Sequence, residues 1–390
     1  MSPEELGTIQ EAIRGEGLDG WLFCNFRHRD KLSDDILGLS HDTTNSRLWF
    51  YAVPANGSPL KIIHAVEPQA LDVLPGTGVF YIAREDLLAA LKPLSGKRWG
   101  VHSSETILAL SYLDAGTAAV LERAGLKLVS AAPLIQRFRG LLGAEAIASH
   151  ERAAVHLYEI VGLAWDLVKE AHKNRKPIYE GDVRSLMLSE MEKRKLFPDH
   201  PPIVAAGPNA GNPHYDFENK GALFKEDDAV QFDLWAKEEL PGAVFADISW
   251  IGVFAEKASS RIEKTFIDLI AARDRAFSFI EEKLASGQRP SGAMVDKAAR
   301  EMLIGKGYEK AIKHRTGHGI DTEIHGSGAN MDSVEFPDSR LLLDGACFSI
   351  EPGLYFEDFG LRTEIDVYIQ SGKAFISGKP HSRQSDLLLC

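Results

Sequence analysis

The chain has 390 residues, with 56 acidic and 44 basic side chains and a formal net charge of −12 at pH 7. This length exceeds what one hydrophobic core normally covers and predicts two domains. The negative charge disfavours nucleic acid and anionic membranes as partners, because phosphate groups bind in a positive field. The amino terminus lacks a signal-peptide pattern and no apolar run is long enough to span a membrane, so we expect a cytoplasmic protein.

The three cysteines, Cys24, Cys347 and Cys390, are widely separated along the chain. Their odd number and spacing fit neither a disulfide framework nor a zinc finger, which agrees with a reducing cytoplasm. Cys24 and Cys347 lie in apolar segments, where a buried structural thiol is the usual interpretation and a nucleophile is not.

The first 145 residues alternate between helical and extended patterns, which predicts an α/β domain. A Gly/Ala-rich stretch at residues 140–148 marks the boundary with a second domain, residues 146–390. In the first domain, helices are predicted at residues 3–15, 84–92 and 107–124, and strands at residues 20–26, 47–55, 60–65, 79–82, 98–102 and 127–131. In the second, long helices are predicted at residues 150–172, 259–285 and 292–306, and a further helix ends at residue 195.

A hairpin with two acidic residues is predicted in the second domain. Apolar and other side chains alternate with a period of two in residues 230–235 and 244–254, and the intervening polar segment ends in Pro-Gly. If the turn centres near Leu240, Asp233 and Asp247 lie opposite one another, with Cβ atoms roughly 5 Å apart. Carboxylates this close repel unless a proton or a cation lies between them.

A second predicted hairpin repeats this arrangement. Its strands are residues 346–356 and 361–370, and they place Glu351 and Glu364 near the same level. His318 lies between two glycines. A single acidic residue in a strand usually faces solvent, but two hairpins that pair acids within apolar strands argue against that interpretation. Four carboxylates and one imidazole suit two divalent cations better than one structural zinc, and they indicate hydrolysis.

Three segments that contain these residues resemble signature segments of the pita-bread metallopeptidases. They are RTGHGI at residues 315–320, SIEPGLY at residues 349–355 and GLRTE at residues 360–364. That group contains aminopeptidase P, prolidase, methionine aminopeptidase and the metal-free creatinase, and the resemblance covers about residues 145–372. It implies a carboxy-terminal pita-bread α+β domain with a curved antiparallel sheet inside a layer of helices. The amino-terminal α/β domain resembles those of creatinase and prolidase, which methionine aminopeptidases generally lack.

The resemblance also implies a dinuclear metal centre. Asp247 and Glu364 would bridge the two metals, Asp233 would complete the shell of one, and His318 with Glu351 would complete the shell of the other. Mn²⁺ is the expected metal, and Zn²⁺ or Co²⁺ are alternatives, because carboxylate-rich sites accept each of them. Creatinase-like relatives lack this set of ligands, so its presence favours a metal-dependent enzyme.

The resemblance assigns roles to further residues around this centre. His214 lies in a Gly/Pro/Asn-rich loop, where a lone histidine is more often a surface residue, but its segment resembles the one that presents a substrate-binding histidine. His325 matches the second active-site histidine of the family. Tyr355 and Arg362 match positions that support the metal shell and the substrate, although Arg362 could equally be a structural ion-pair partner. Glu351 would also act as general base and then general acid.

Three features depart from the family pattern. Gly326 stands after the second histidine where many members have an acid, so the pocket wall there is undetermined. The spacing from Asp233 to Asp247 is longer than usual and predicts an extended turn. Ile248, Ser249 and Trp250 follow Asp247, where the family often has a polar Thr-Arg pair.

The resulting hypothesis is an Xaa-Pro dipeptidase that acts on short proline-containing peptides as a homodimer. The substrate carboxylate would need a cation, for which Arg340 and Arg362 are candidates. Aminopeptidase P activity on longer peptides is the nearest alternative. A metal-free creatinase-like hydrolase and a non-catalytic binding protein with the same fold are the others.

Overall fold

The computed structural model describes residues 1–378 and 383–390. The chain divides into an amino-terminal unit, Met1–Arg139, and a carboxy-terminal unit, Gly140–Cys390. Most of the Gly/Ala-rich stretch at residues 140–148 is helical, since a long helix begins at Ala144. Alanine has the highest helix propensity, which explains why this stretch extends the helix. Among the described residues, no helix is both long and apolar enough to cross a lipid bilayer.

A six-stranded sheet, in the order β4-β3-β2-β1-β5-β6, forms the centre of the amino-terminal unit. Strands β1, β2 and β3 pair antiparallel, and the pairs β3/β4, β1/β5 and β5/β6 are parallel. The strands are β1 (Gly20–Asn25), β2 (Trp49–Pro54), β3 (Leu60–His64), β4 (Thr77–Tyr81), β5 (Arg98–Val101) and β6 (Lys127–Ser130). The helices are α1 (Pro3–Gly15), α2 (Lys31–Leu37), α3 (Arg84–Leu91), α4 (Ala115–Arg123) and α5 (Ala132–Arg139).

The helical segment predicted at residues 107–124 is too long, and two helices of this unit are not predicted at all. Residues 107–124 contain only a 3-10 turn at Leu108–Leu110 and then α4. The side chain of Asp114 accepts a hydrogen bond from the Thr117 amide, so Asp114 is the N-cap that starts α4. The short helix α2 also carries recognisable signals, because Asp30 caps its start and Gly38 ends it in the left-handed region.

The described residues of the carboxy-terminal unit form four long helices and three sheets. The larger sheet has the order β16-β10-β9-β7, with β8 also paired to β9, and the smaller ones are β11-β14-β15 and β12-β13. The helices are α6 (Ala144–Lys173), α7 (Glu180–Lys193), α8 (Ser260–Ala285) and α9 (Gly292–Gly305). The strands are β7 (Leu196–Phe197), β8 (Ile203–Ala206), β9 (Ala229–Glu238), β10 (Ala246–Val253), β11 (Cys347–Ile350), β12 (Gly353–Tyr355), β13 (Gly360–Arg362), β14 (Ile365–Gln370), β15 (Lys373–Ile376) and β16 (Leu388–Leu389).

Strands β9 and β10 have one apolar face and one polar face. Phe232 and Leu234 belong to the core formed with α6, where the ring of Trp165 lies 5.7 Å from that of Phe232. Alternation along the strand directs Asp233, between these two residues, to the other face. The helices therefore cover the apolar face of this sheet and leave the acidic face for the site.

The first hairpin differs from the prediction in its register. Asp233 pairs with Ser249 and Asp247 pairs with Trp235, so the two acids are diagonal neighbours, not direct partners. The turn centres on Pro241, and a one-residue change in the centre shifts the pairing by two residues. A shift of two preserves the face of every side chain. Asp233 and Asp247 therefore remain on the same face, at a diagonal spacing of roughly 7–8 Å.

The predicted pairing in the second hairpin is confirmed. Ile350 pairs with Ile365 in one ladder, and Gly353 pairs with Arg362 in the next. Both ladders have the same register. If that register continues through the residues between the two ladders, Glu351 lies opposite Glu364. Apolar residues of β11 and β14 pack in one core with α8 and α9, so this hairpin is also covered on its apolar side.

Candidate active site

Four of the five predicted metal ligands line one cavity of about 390 Å³ in the carboxy-terminal unit. The fifth, Glu364, is 1% exposed, and one of its carboxylate oxygens lies within 4.8 Å of ligand atoms of Asp247 and His318. A larger groove of about 1160 Å³ runs along the end of α6 but contains none of the predicted site residues. The predicted site residues that line the smaller cavity are His214, Asp233, Asp247, His318, His325, Glu351 and Arg362.

The imidazole of His318 is oriented by its backbone surroundings. Its Nδ1 lies 3.2 Å from the Gly319 carbonyl oxygen. A carbonyl only accepts, so this contact places the proton on Nδ1 and leaves a lone pair on Nε2. Nε2 faces Glu351 Oε1 at 3.4 Å and Asp247 Oδ2 at 3.6 Å. This nitrogen and the two carboxylate oxygens are therefore three acceptors that face one another. Burial lowers the pKa of His318 and so disfavours the protonated imidazole, which could otherwise donate to them.

Gly317 allows the His318 segment to lie against strand β11. A Cβ atom at residue 317 would be 2.0 Å from the Ser349 carbonyl oxygen, which no side chain could accommodate. The Ser349 amide donates to His318 O at 2.9 Å, and the His318 amide donates to Ser349 Oγ at 3.0 Å. The glycine is therefore required by close backbone packing, because its own φ is not in the left-handed region.

Two carboxylate oxygens at the site lack a hydrogen-bond partner among the described residues. They are Asp247 Oδ1 and Glu364 Oε1, and both are buried. Burial raises the pKa of each carboxyl well above its ordinary value, and a neighbouring carboxylate raises it further, Asp233 in the case of Asp247 and Asp247 in the case of Glu364. Unpartnered buried acceptors beside an imidazole lone pair fit divalent cations, which bind oxygen and nitrogen donors of this kind.

Both carboxylate oxygens of Asp233, by contrast, have hydrogen-bond donors. Arg362 forms a buried ion pair with its Oδ2, and the Ser249 hydroxyl lies 2.8 Å from its Oδ1. The same hydroxyl lies 2.9 Å from Glu364 Oε2, and its single proton can serve only one of the two acids at a time. The Arg362 guanidinium also donates to Ser249 Oγ at 3.1 Å. Arg362 therefore forms the ion pair that the sequence analysis gave as its alternative role. Its partner, Asp233, is one of the predicted metal ligands.

Ser249 is a site residue that the sequence analysis did not identify. It lies two residues after Asp247 on β10 and directly opposite Asp233. Alternation alone places it on the acidic face, so the signal was available in the strand period.

Tyr355 contacts the site through Arg362. Its hydroxyl accepts from Arg362 at 3.1 Å and lies 2.7 Å from His314 Nε2. His314 Nδ1 lies 2.6 Å from the Arg315 carbonyl, which places the proton on Nδ1, so Nε2 accepts from Tyr355. Burial raises the pKa of Tyr355 to about 12, and the phenol therefore keeps its proton. Tyr355 does not line the cavity, but His314 does, and His314 was not among the predicted residues.

His214 and His325 both line the cavity. His325 packs edge-on against His318, with ring centroids 4.4 Å apart. The neighbouring His318 and burial lower the pKa of His325 to about 3, so its imidazole is neutral near pH 7. His214 follows a 3-10 segment at Gly207–Gly211 and is exposed, consistent with a residue at the mouth of the cavity.

Neither arginine suggested for the substrate carboxylate is free to bind it. Arg340 is bonded to Asp338 through two nitrogens and donates to the carbonyls of Ser327 at 2.7 Å and Gly328 at 2.6 Å. These contacts use its guanidinium within the structure, and it does not line the cavity. Arg362 is paired with Asp233. The Arg340 hypothesis is wrong, because a spacing argument cannot detect a neighbouring carboxylate that folds back onto the same arginine.

Arg315 is the cationic side chain that the cavity offers instead. It lines the cavity, is partly buried and has no side-chain hydrogen bond or ion pair within residues 1–378 and 383–390. Its charge lowers the pKa of both His318 and His325. It immediately precedes the Thr-Gly-His segment, so the motif that delivers the imidazole also delivers this guanidinium.

Gly326 is explained by its contact with Asp321. A Cβ atom at residue 326 would lie 2.7 Å from both the amide nitrogen and Cγ of Asp321. Asp321 is 1% exposed, and its carboxylate accepts from the amides of Glu323 at 2.8 Å and Ser327 at 2.7 Å. An acidic side chain at this position would therefore displace a buried loop in this chain.

Comparison with known proteins agrees with this geometry. The model of metallopeptidase family M24 matches residues 152–371, more than half of the chain. The chain therefore belongs to metallopeptidase family M24, and the predicted fold class, an α/β domain followed by a pita-bread domain, is confirmed.

Individual relatives have low sequence identity to this chain. The Xaa-Pro dipeptidase of Lactobacillus delbrueckii subsp. lactis is 29% identical over 163 residues, which are 42% of this chain and 40% of that protein. The leading curated relatives are all matched over less than half of their own length. The crystal structure of dipeptidase PepE from Mycobacterium ulcerans has a TM-score of 0.67 at 20% identity and covers 98% of this chain and 96% of its own.

A further structural neighbour bears a different kind of name. The N-terminal domain of FACT complex subunit SPT16 from chickpea has a TM-score of 0.68 at 13% identity, covering 97% of this chain and 96% of its own. Both solved structures share the fold with this chain, and the fold alone does not specify an activity.

The raised carboxyl pKa values predict how the metal-free protein responds to pH. A raised pKa means that the folded state holds protons that the unfolded state releases, so stability falls as pH rises above about 4. Asp247→Asn removes one such group. In EDTA, we expect its melting temperature to fall less than that of the wild type between about pH 5 and pH 8. Asp358→Asn, at an exposed carboxylate, is the control, and parallel curves for Asp247→Asn and the wild type would contradict this account.

The packing around Gly326 predicts a loss of stability on adding one methyl group. Gly326→Ala forces Cβ against the Asp321 backbone, and we expect it to cost about 1–3 kcal/mol of unfolding free energy. Gly162→Ala is the matched control, because residue 162 lies in α6 with open space around it. Alanine favours a helix, so this control should be neutral or gain up to about 1 kcal/mol. Equal denaturant midpoints for the two variants would rule out the clash.

Proposed function

We propose that this protein is a divalent-metal-dependent Xaa-Pro dipeptidase. The observation that supports this most directly is the group of buried acceptors formed by Asp247, Glu364 and His318. Two of their oxygens have no partner among the described residues, and the His318 lone pair points at carboxylates. Such an arrangement is costly without a cation and lies beside a cavity of about 390 Å³, within the size range of small-ligand sites.

The metal-binding residues follow from that group. Asp233, Asp247, His318, Glu351 and Glu364 are the residues that would hold two divalent cations. When bound, divalent cations lower the pKa of a coordinated water and polarise a substrate carbonyl. Mn²⁺ is the metal we expect, and Zn²⁺ and Co²⁺ are alternatives, because this oxygen-rich set accepts all three.

Glu351 is suited to proton transfer. Its side chain is 15% exposed and lines the cavity, whereas that of Glu364 is buried behind it. Its carboxylate can therefore receive a proton from the attacking water and deliver it to the leaving nitrogen, as general base and then general acid.

His325 and His214 would stabilise the developing negative charge. His325 is neutral near pH 7 because its pKa is lowered to about 3, and a neutral imidazole can donate one hydrogen bond to an oxyanion. His214 lies on the same cavity, where it can contact the substrate near the scissile bond. Tyr355 acts at a distance, because it holds Arg362, which in turn holds Asp233.

The cavity favours a small substrate with a free carboxylate. Ile203, Trp235 and Ile324 supply apolar surface that suits a proline ring, and proline makes no demand for an amide acceptor. Arg315, which has no ion-pair partner among the described residues, supplies a cation for the terminal carboxylate. A dipeptide meets both features, which favours a dipeptidase over an aminopeptidase P that acts on longer peptides.

Two other functions are less well supported. A creatinase-like hydrolase would not need the complete set of five ligands that this chain retains. A non-catalytic binding protein has support in the structural likeness to the SPT16 domain, which is named as part of a complex. The retained ligands and the cavity beside them favour catalysis over that alternative. The homodimer and the cytoplasmic location stay predictions.

The test is metal-dependent cleavage. The purified protein is stripped with a chelator, reloaded separately with Mn²⁺, Co²⁺ or Zn²⁺, and assayed with Ala-Pro, Leu-Pro and an Xaa-Pro-Xaa tripeptide. We expect no turnover without metal and faster cleavage of dipeptides than of the tripeptide. Activity that survives chelation would indicate a creatinase-like hydrolase, and absence of activity with every metal would favour a binding protein.

Glu351→Gln tests the proton-transfer role within the same assay. The amide keeps the size of the side chain but loses its basicity, so we expect kcat to fall by about 100-fold or more. Glu335→Gln is the control, because Glu335 lines the same cavity without being a predicted ligand. Near-normal turnover by Glu351→Gln, with its metal content preserved, would remove Glu351 from this role.

Arg315→Ala tests the carboxylate contact. A hydrogen bond to a charged group is worth about 1.5–3 kcal/mol, so KM for Ala-Pro should rise about 10- to 100-fold. The carboxyl-terminal amide of the same dipeptide lacks the charge and should be cleaved with similar efficiency by both proteins. An equal effect of the substitution on the acid and the amide would show that Arg315 does not recognise the carboxylate.

A further inference from the structure

The amino-terminal unit contains a second group of metal-binding side chains. His28 precedes helix α2, Asp34 lies within it, and His41 follows it. One ligand atom from each residue lies within 4.8 Å of the other two. None of these residues takes part in the proposed peptidase site, which lies in the carboxy-terminal unit.

His28 turns a lone pair toward Asp34. Its Nε2 lies 2.7 Å from the Thr43 carbonyl oxygen, which can only accept, so Nε2 carries a proton. Its Nδ1 then faces Asp34 Oδ2 at 2.7 Å. At this distance the two atoms must share a proton, carried by the ring or by the carboxyl, unless a metal cation bound to both replaces it. The contact is made from a left-handed backbone with φ of +51°, a conformation that costs energy for any residue except glycine.

His41 repeats this arrangement from the other side. Its Nε2 lies 3.0 Å from Asp35 Oδ1, and Asp35 is itself held by Arg139 at 3.1 Å. The carboxylate orients the ring so that Nδ1 lies 3.6 Å from Asp34 Oδ2. A histidine that binds a metal through one nitrogen commonly donates from the other to a carboxylate or carbonyl. Both histidines of this group have such a partner.

Asp34 lacks full compensation for its burial. Its side chain is 0% exposed, and Oδ1 has no hydrogen-bond partner among the described residues. Burial raises the pKa of this carboxyl, and the side chains of His28 and Asn25 offset the effect only in part. The Asn25 amide also donates to the Asp30 carbonyl at 2.9 Å. A cation at Asp34 would balance the buried charge.

We infer that His28, Asp34 and His41 bind one zinc-type divalent cation in the amino-terminal unit. Two imidazole nitrogens and one carboxylate are a donor set that Zn²⁺ favours, with water or another ligand in the fourth position. The side chain of His41 is 47% exposed, so solvent can reach that position. The peptidase site offers four carboxylates and one imidazole, so the two sites differ in their donor sets. The competing interpretation is an ion pair between a protonated His28 and Asp34, which would bind no metal.

Zinc stoichiometry of the full chain distinguishes these interpretations. The stripped protein is dialysed against a zinc buffer and its metal content is measured per chain. The variants are His41→Ala and the double variant His28→Asn/His41→Ala, in which asparagine tolerates the left-handed backbone. His156→Ala, an exposed histidine on α6, is the matched control.

We expect both variants to hold one zinc equivalent fewer than the wild type and His156→Ala. Metal-dependent dipeptide cleavage should be unchanged in His41→Ala, which separates this site from the peptidase centre. A zinc-edge anomalous map of crystals should show a peak between His28 Nδ1, Asp34 Oδ2 and His41 Nδ1. Equal zinc content in the wild type and His41→Ala, or a map without that peak, would overturn the inference. If the double variant does not fold, His41→Ala decides the question alone, since its side chain is half exposed.

Discussion

Repulsion between buried carboxylates is the constraint that the rest of the carboxy-terminal unit satisfies. Two unit charges of like sign about 4 Å apart repel by about 4 kcal/mol at the effective dielectric constant of a protein surface, and by more in its interior. Asp233, Asp247, Glu351 and Glu364 converge on one wall, and burial raises the pKa of two of them. A fold can keep such a group together only if donors or cations offset the charge.

The chain supplies part of that compensation itself. Arg362 neutralises Asp233, and Ser249 stands between Asp233 and Glu364. Tyr355 and the Pro213 carbonyl hold the guanidinium of Arg362 in place. The oxygens without a hydrogen-bond partner among the described residues belong to Asp247 and Glu364, and the carboxylates of these two residues group with His318, which is why we place the cations there. The apolar faces of the same strands pack against α6, α8 and α9, and this packing prevents the acidic faces from separating.

Much of this arrangement could be predicted from local patterns. A period of two identifies which residues of β9 and β10 share a face, and it holds whether the turn centres on Leu240 or Pro241. The second hairpin was predicted with its correct pairing because a short turn leaves little freedom of register. The helical segment assigned to residues 107–124 was too long, because its apolar composition outweighed the N-cap signal of Asp114, at which the helix starts. Ser249 was missed although it obeys the same alternation as the acids.

Contacts between distant segments could not be predicted in this way. Arg340 and Arg315 both lie near the motifs in the sequence, and no spacing rule indicates which of them is available to bind a substrate. Asp338 and two carbonyls engage Arg340, whereas Arg315 faces the cavity. The sequence by itself determined the types of ligand, their faces and the family, because these depend on residue identity and strand period. Only the tertiary structure decided which charges are neutralised, which oxygens lack a partner and why residue 326 is glycine, because each depends on atoms brought together by the fold.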